Sequence, residues 1–541
     1  MAEISTIESL TRADGRRARA PWPSAGFWVP AVLVAVAMVL PLAYLVLRTL
    51  GAGFEAWELL FRLRTLEILL RSVLLVLAVT GATIAISLPL AWLTVRADLP
   101  WRRLWTVLTV LPLVIPSYVG GFVIIAALGP RGMLQQFLAA PFGVERLPEI
   151  YGFPGAMLTL TLLSYPYVLL SVRGALWGLD PALEETSRSL GHGAWATFRR
   201  LTLPQLRPAI ALGALLVALY TLSDFGAVSL LRYETFTWAI YLQYQAAFDR
   251  TLAAALSLVL VVLALSLLVA EARSRGRSRY YRATVGAVRP PSRVSLGRWR
   301  WPGFAFCGAI VLFALIMPMS VLGYWLVRGV FAGEPLHLVW GAALNSVYVS
   351  GLAAGTAIAA ALPVAFLAVR YPSWVSALLE RITYIGFALP GLVVALALVF
   401  FGASYAISLY QTLFLLIFAY VVLFLPTSLG AIRSSLLQVN PRVEEAARSL
   451  GRTSFQAFRS VTLPLVRSGI LAGAALVFLV CMKELPATLI LSPIGFKTLA
   501  TSIWSASSGA FFARAAAPAL LLILVSSVPM AFLILRGGRW Q

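Results

Sequence analysis

The chain has 541 residues, of which 60% are hydrophobic and 12% charged, with a mean hydropathy of +0.88. Such a composition excludes a soluble globular enzyme and describes a polytopic membrane protein. The formal net charge of +22 is carried almost wholly by arginine, Lys483 and Lys497 being the two lysines; in so apolar a chain it reflects membrane topology and not nucleic-acid binding.

The first residues, with Arg12, Arg16, Arg17 and Arg19 and no apolar run, read as a cytoplasmic segment over 1–26 and not as a cleavable signal. Twelve stretches then follow that are long and apolar enough to span a bilayer, near 27–48, 69–94, 104–128, 154–174, 208–231, 251–270, 303–327, 343–369, 382–403, 411–432, 467–491 and 516–535. No barrel-like alternation is present, so the expected fold is all-α. Arginines cluster on alternate loops: Arg96, Arg102 and Arg103, then Arg188, Arg199, Arg200 and Arg207, then a dense run after the sixth stretch. That bias predicts a multi-pass inner-membrane protein with both termini cytoplasmic, although Arg62, Arg64, Arg131 and Arg232 fall on the opposite loops. Cys307 and Cys481 lie in different spans with no metal-ligand or disulfide spacing, and His192 and His337 are isolated.

The chain repeats itself. Ser72-Val73, Gly81, Leu88-Pro89 and Val95-Arg96 recur as Ser346-Val347, Gly355, Leu362-Pro363 and Val369-Arg370, and Pro116 recurs as Pro390, all at an offset of 274 residues. Pro166 and Pro426, and Arg173 and Arg433, are offset by 260, which places extra residues of the first copy in the loop near 129–152. The expected organisation is two parallel six-helix repeats, 27–271 and 303–541, joined by a basic cytoplasmic linker over 272–302. The linker holds nine arginines between 272 and 300 together with Pro290-Pro291, and reads as a flexible tether at anionic headgroups.

One polar segment is also doubled. Glu184-Glu185, Arg188, Gly191, Phe198-Arg199 and Pro204 recur as Glu444-Glu445, Arg448, Gly451, Phe458-Arg459 and Pro464, each offset by 260. Asp180-Pro181 and Asn440-Pro441 signal an N-cap and first helical position, and the glutamates favour the first turns of the helix. Gly191 and Gly451 suit a sharp reversal, after which Trp195 with Phe198, and Phe455 with Phe458, give a second short amphipathic piece. A lone copy would suit an interfacial anchor; two copies at identical spacing suit a docking device for a partner with twofold symmetry.

Glu445-Ala446-Ala447, then Gly451, then Leu463-Pro464 resemble the coupling loop of ABC-transporter permeases of the binding-protein-dependent importer class; the first copy has Thr186-Ser187 in place of the two alanines. The resemblance implies a permease that is not itself an enzyme, two ABC ATPase subunits that bind ATP and magnesium, and a soluble solute-binding protein. It implies no cofactor, metal or catalytic group on this chain, and no nucleic-acid partner. The lack of a G-x-x-x-x-G-K-[ST] phosphate loop agrees with an ATPase in a separate subunit. Asp224 and Glu484, offset by 260 inside apolar stretches, suit either a translocation pathway or a structural role, such as a cap at a break near Gly226 or a local pair with Lys483. The run Lys483-Glu484-Leu485-Pro486-Ala487-Thr488 resembles fused permeases for ferric iron, with those for thiamine as the alternative within the class. A secondary transporter is the alternative outside it, but Val95–Trp101 lacks the charged loop pattern of the major facilitator family.

Overall fold

The computed structural model describes residues 25–51, 62–245, 250–274, 294–334 and 337–537. Arg12–Arg19 and the linker arginines from 275 to 293 lie outside those residues. Among the described residues the fold is all-α, with a lone parallel bridge between Ala97 and Val294. Among the described residues ten helices are long and apolar enough to cross a membrane, and two bent helix pairs raise the number to at most twelve.

Four stretches that read as single spans are interrupted, each for a local reason. The 104–128 stretch forms helices Arg102–Leu108 and Ser117–Leu128 around a 3-10 turn, Leu111–Val114. Pro112 and Pro116 lack the N–H that a continuous helix needs, and each restricts the residue before it. The 382–403 stretch breaks in the same way before Gly391, where Pro390 is extended at ψ 141. The 208–231 stretch is helix Leu203–Ser223 followed by the short helix Gly226–Leu230. The 467–491 stretch is helix Arg467–Lys483 followed by Pro486–Leu491. The extra residues of the first copy form helix Met133–Phe142, where the second copy has only the turn Ile407–Leu409.

The chain divides into two compact units. The larger comprises Pro41–Ala353, Phe387–Leu423 and Phe478–Gln541. Its centre is helix Leu63–Val95 packed on Phe153–Gly178, with Leu203–Ser223 against both. With no hydrophobic drive between helices in lipid, close approach and hydrogen bonds hold them. The Ser87 hydroxyl donates to the Tyr165 carbonyl at 2.8 Å, and the Tyr165 hydroxyl donates to the Thr109 carbonyl at 2.7 Å. Gly213 lets its helix close on Val168, where a Cβ would stand 2.7 Å from the Val168 Cα. The Ser72 hydroxyl accepts from Phe236 N at 3.1 Å, and its repeat counterpart Ser346 accepts from Leu499 N at 2.8 Å.

The smaller unit comprises Met1–Leu40, Ala354–Gly386 and Phe424–Val477. Gly473 brings its helix against Ser428, whose Cα would lie 3.2 Å from an added Cβ. An aromatic cluster ties the unit together: Phe27 stacks on Phe366 at 4.6 Å between ring centres, and Phe458 meets Phe27 at 5.3 Å and Phe366 at 4.9 Å.

Candidate functional site

The doubled polar loops fold alike. Asp180 Oδ1 accepts from Ala182 N at 3.0 Å and Asn440 Oδ1 from Arg442 N at 3.0 Å, so each side chain caps its helix, Pro181–Ser189 or Pro441–Ser449. Each helix ends at a glycine in the left-handed region, Gly191 at φ +84 and Gly451 at φ +86. Neither glycine has a neighbour within 4 Å of a Cβ position, so backbone angle and not space demands glycine. The short helices Ala194–Thr197 and Ser454–Ala457 follow, then one π-turn each, Phe198–Thr202 and Phe458–Thr462, leading into Pro204 and Pro464.

The paired glutamates divide their work. Glu184 and Glu444 turn inward to arginines that close the second helix of their repeat. Arg96 Nη1 donates to Glu184 Oε2 at 3.3 Å, and Nη2 sits 3.2 Å from Oε1; the two side chains are 3% and 14% exposed. Arg370 Nε donates to Glu444 Oε1 at 2.8 Å, with the side chains 8% and 13% exposed. Burial lowers the pKa of the Arg96 guanidinium and the Glu184 carboxylate opposes that shift. Each loop adds one more bond: the Thr202 hydroxyl donates to Glu184 Oε1 at 3.1 Å, and Arg370 Nη2 donates to the Val439 carbonyl at 3.0 Å. Arg96 and Arg370 are the partners of the loop glutamates that motif reading did not single out. Their signal was present as the matched Val-Arg pairs at the end of the repeated span.

Glu185 and Glu445 are instead exposed. Around them stand large apolar side chains that the fold leaves uncovered: Leu190, Trp195 and Leu183 on one loop, and Leu450, Phe455 and Val443 on the other. Arg188 is exposed and Arg448 half-buried, while Phe198 and Phe458 are half-buried beneath the rim. Phe198 stacks on Trp195 at 5.7 Å, whereas Phe458 belongs to the Phe27–Phe366 cluster. His192 bridges the Ser187 carbonyl at 3.3 Å and the Arg200 guanidinium at 3.2 Å.

The second constellation lies at the helix breaks, where both acids act as caps. Asp224 Oδ1 accepts from Ala227 N at 3.0 Å and Val228 N at 3.3 Å, at the start of Gly226–Leu230. Glu484 Oε1 accepts from Ala487 N at 3.2 Å, at the start of Pro486–Leu491. The break near Gly226 therefore carries the cap its sequence suggests. Lys483 does not pair with its neighbour Glu484; its Nζ donates to the Leu113 carbonyl at 2.9 Å. Gly391 has no side chain where a Cβ would meet the Glu484 carboxylate. Among the described residues no group of three His, Cys, Asp or Glu side chains could hold a metal.

The doubled loops leave large apolar side chains uncovered, and two pairs of apolar spans are broken at matching places in the two copies. Comparison with known proteins gives the class. The family described as the binding-protein-dependent transport system inner membrane component matches residues 84–279 and 351–535. The chain belongs to this family and is an ABC-importer permease with multiple membrane spans, which decides against a secondary transporter. It is 38% identical over 515 residues to an Fe(3+)-transport system permease protein of Haemophilus influenzae, covering 94% of this chain and 98% of that one. It is 25% identical over 403 residues to a ferric transport system permease protein of Actinobacillus pleuropneumoniae, covering 71% of this chain and 58% of the relative. A molybdenum transport system permease protein of Escherichia coli is 35% identical over 161 residues, covering 29% of this chain and 69% of its own.

Proposed function

We propose that the chain forms the translocation pathway of a ferric iron importer. The observation that carries this reading is the near full-length similarity to an Fe(3+)-transport permease, against which the molybdenum relative aligns with less than a third of the chain. On this reading one copy supplies both halves of the pore, 27–271 and 303–541, with 272–302 as the cytoplasmic linker. Both termini face the cytoplasm. Two ATPase subunits, which bind ATP and magnesium, take the loops built around Glu185 and Glu445. A solute-binding protein delivers the cargo from the other side, and Asp224 and Glu484 line the route.

The division of labour within each loop supports the docking role. The inward glutamate fixes the loop to its own repeat through Arg96 or Arg370, so force applied to the outward face is passed to a membrane helix and not lost in a mobile loop. The test is uptake of radiolabelled ferric iron, thiamine and molybdate by cells with and without the chain. Loss of iron uptake alone is the expected result, and loss of thiamine or molybdate uptake alone overturns the ferric reading. Blocking ATP hydrolysis while the proton gradient is intact must stop the uptake.

A further inference from the structure

The two repeats carry opposite charges at one matched place. Ser72 and Ser346 correspond, and they accept from Phe236 N and Leu499 N. One residue before each serine stand Arg71 and Asn345, and two residues before each bonded amide stand Glu234 and Lys497. In the first repeat the acid is neutralised: Glu234 meets Arg64 at 2.9 Å and Arg71 at 3.3 Å. In the second repeat the base is not. Asn345 Nδ2 donates to the Lys497 carbonyl at 3.0 Å, and the exposed Lys497 amine has no ion-pair partner among the described residues.

Lys497 lines a cavity of about 1030 Å³ within the larger unit, together with Asn345, Ser502, Trp504 and Ser505. The other charges in its walls, Arg514 and Glu334, bond each other at 2.8 Å, so the unpaired ammonium sets the sign of the cavity. The Trp504 indole N–H is buried without a partner among the described residues, a second donor that lacks an acceptor. The segment from Glu484 to Leu499 is three residues longer than its counterpart from Asp224 to Phe236, and it holds Ile494, 89% exposed, beside the cavity. Helix Leu63–Val95 tells which end of the bundle this is. Arg71 lies near its start, and Arg96, which holds Glu184, lies just past its end. They are 25 residues apart, or about 37 Å at the rise of a helix. The Arg71 position, and the cavity at the matching place, therefore lie away from the loop built on Glu184.

We propose that this cavity is the seat for an acidic projection of the solute-binding protein, whose carboxylate pairs with Lys497. The inference rests on the proposed delivery of ferric iron by such a protein and deepens it by naming where the partner is gripped. A free ammonium repels a ferric cargo, so it serves a partner that brings an anion. A volume of about 1030 Å³ is far more than one inorganic anion fills and suits a short loop with its side chains. The first repeat, neutralised at the matched place, offers no such grip, so charge fixes which way round the partner sits. The seat also touches the proposed route: the Trp504 ring meets Phe225 and Tyr241, each at 6.0 Å, beside the Asp224 break.

The test places the full-length chain with its ATPase subunits in nanodiscs of neutral lipid and titrates the transporter's own solute-binding protein, loaded with ferric iron. Lys497→Gln should weaken binding about tenfold or more at low salt, and Lys497→Glu further, as when one partner of an interfacial charge pair is lost. Lys497→Arg, which keeps the charge, should bind as the wild type does. Added salt should narrow the gap between the wild type and Lys497→Gln, because it screens the pair. All three variants should melt at the wild-type temperature, since the side chain is exposed. Arg131→Glu makes the same change of charge as Lys497→Glu at an exposed residue outside the cavity, and should bind nearly as the wild type does. Wild-type binding by Lys497→Glu overturns the seat. An equal loss in Arg131→Glu overturns it too, because the field of the whole face and not the cavity would then act. If Lys497→Glu loses binding only in nanodiscs that contain phosphatidylglycerol, Lys497 holds a lipid and the seat is overturned. If the wild type binds the loaded protein through Lys497 yet imports no ferric iron in matching vesicles, the ferric reading falls and the seat stands.

Discussion

The two doubled loops share a backbone and differ in what holds it. Both have a capped nine-residue helix, a left-handed glycine and a π-turn, and both turn one glutamate inward and one outward. The first loop is held by Arg96 and Thr202, and Phe198 stacks on its own Trp195. The second is held by Arg370, and Phe458 is locked into a cluster with Phe27 and Phe366. The outward glutamate and the buried Arg–Glu anchor are therefore the repeated features, and the contacts that support the anchor vary. That pattern is expected when two sites must present the same surface to identical partners while sitting in different surroundings.

The largest effect should come from the outward face. Glu185→Ala and Glu445→Ala, made together, should reduce transport at least tenfold while ATP hydrolysis continues and the bundle keeps its melting temperature: on the proposed docking each exposed carboxylate becomes one side of a charge pair buried against the ATPase, and losing one partner of such a pair costs about 2–5 kcal/mol. The single variants should be equally impaired. A double variant with full transport removes the docking role; strongly unequal singles break the equivalence of the two faces.

The anchors should show the inequality that the faces lack. Removing one member of a buried ion pair costs about 3–5 kcal/mol, because the other charge is left uncompensated. Arg370→Met should fall at the upper end: it strands Glu444 and also frees the Val439 carbonyl. Arg96→Met should cost less, because Glu184 keeps the Thr202 hydroxyl. The Thr462 hydroxyl, which matches Thr202, has no partner among the described residues. Thermal melting of the solubilised chain, with Arg370→Met, Glu444→Gln and the double variant as a cycle, measures the coupling. A cost for Arg96→Met equal to or above that for Arg370→Met contradicts the anchoring scheme.

These anchors mark the limit of what the sequence disclosed. The loops were legible because caps, glycines and spacing are local and occur twice. The capped break at Asp224 was readable from Gly226 two residues on, yet the apolar count ran straight across it, since a hydropathy window measures length and not continuity. Arg96 and Arg370 were visible as repeat matches, but their partners lie 88 and 74 residues away, and periodicity carries no information at that range. The bond from Lys483 to Leu113 spans 370 residues and joins different repeats, so the adjacent Glu484 was the natural but incorrect partner to expect.

The left-handed glycines should restore the symmetry. A side chain at φ near +85 costs about 1–2 kcal/mol whatever surrounds it. Gly191→Ala and Gly451→Ala should therefore destabilise their loops to a similar extent, read as faster proteolysis at each loop. A difference much larger than that range would mean that the loops differ in backbone and not only in anchoring.

The smallest effect tests a device that only the first loop has. Asp98 follows Arg96 by two residues, and its counterpart in the second repeat is Pro372, which has no N–H to offer. Asp98 Oδ1 accepts from Leu296 N at 2.9 Å, Oδ2 accepts from the Ser295 hydroxyl at 3.3 Å, and Val294 N donates to the Arg96 carbonyl at 2.7 Å. The end of the linker is thus clasped to the residues that anchor the first loop. The Leu296 N–H holds the Asp98 carboxyl below its ordinary value of 3.8. A depressed carboxyl stabilises the fold above its unfolded pKa and loses that contribution as pH falls through the folded one. Protection of Arg298 and Arg300 from trypsin, sampled after brief exposure to each pH and return to neutral, should therefore be flat from about pH 8 to pH 5 and fail only in stronger acid. Asp98→Ala should expose Arg298 and Arg300 to cleavage at neutral pH with little change in melting temperature, because the clasp is a surface feature. If cleavage is unchanged, the parallel bridge alone holds the segment from Val294 to Arg300, and the first loop differs from the second in the bonds to its glutamate and in its aromatic packing.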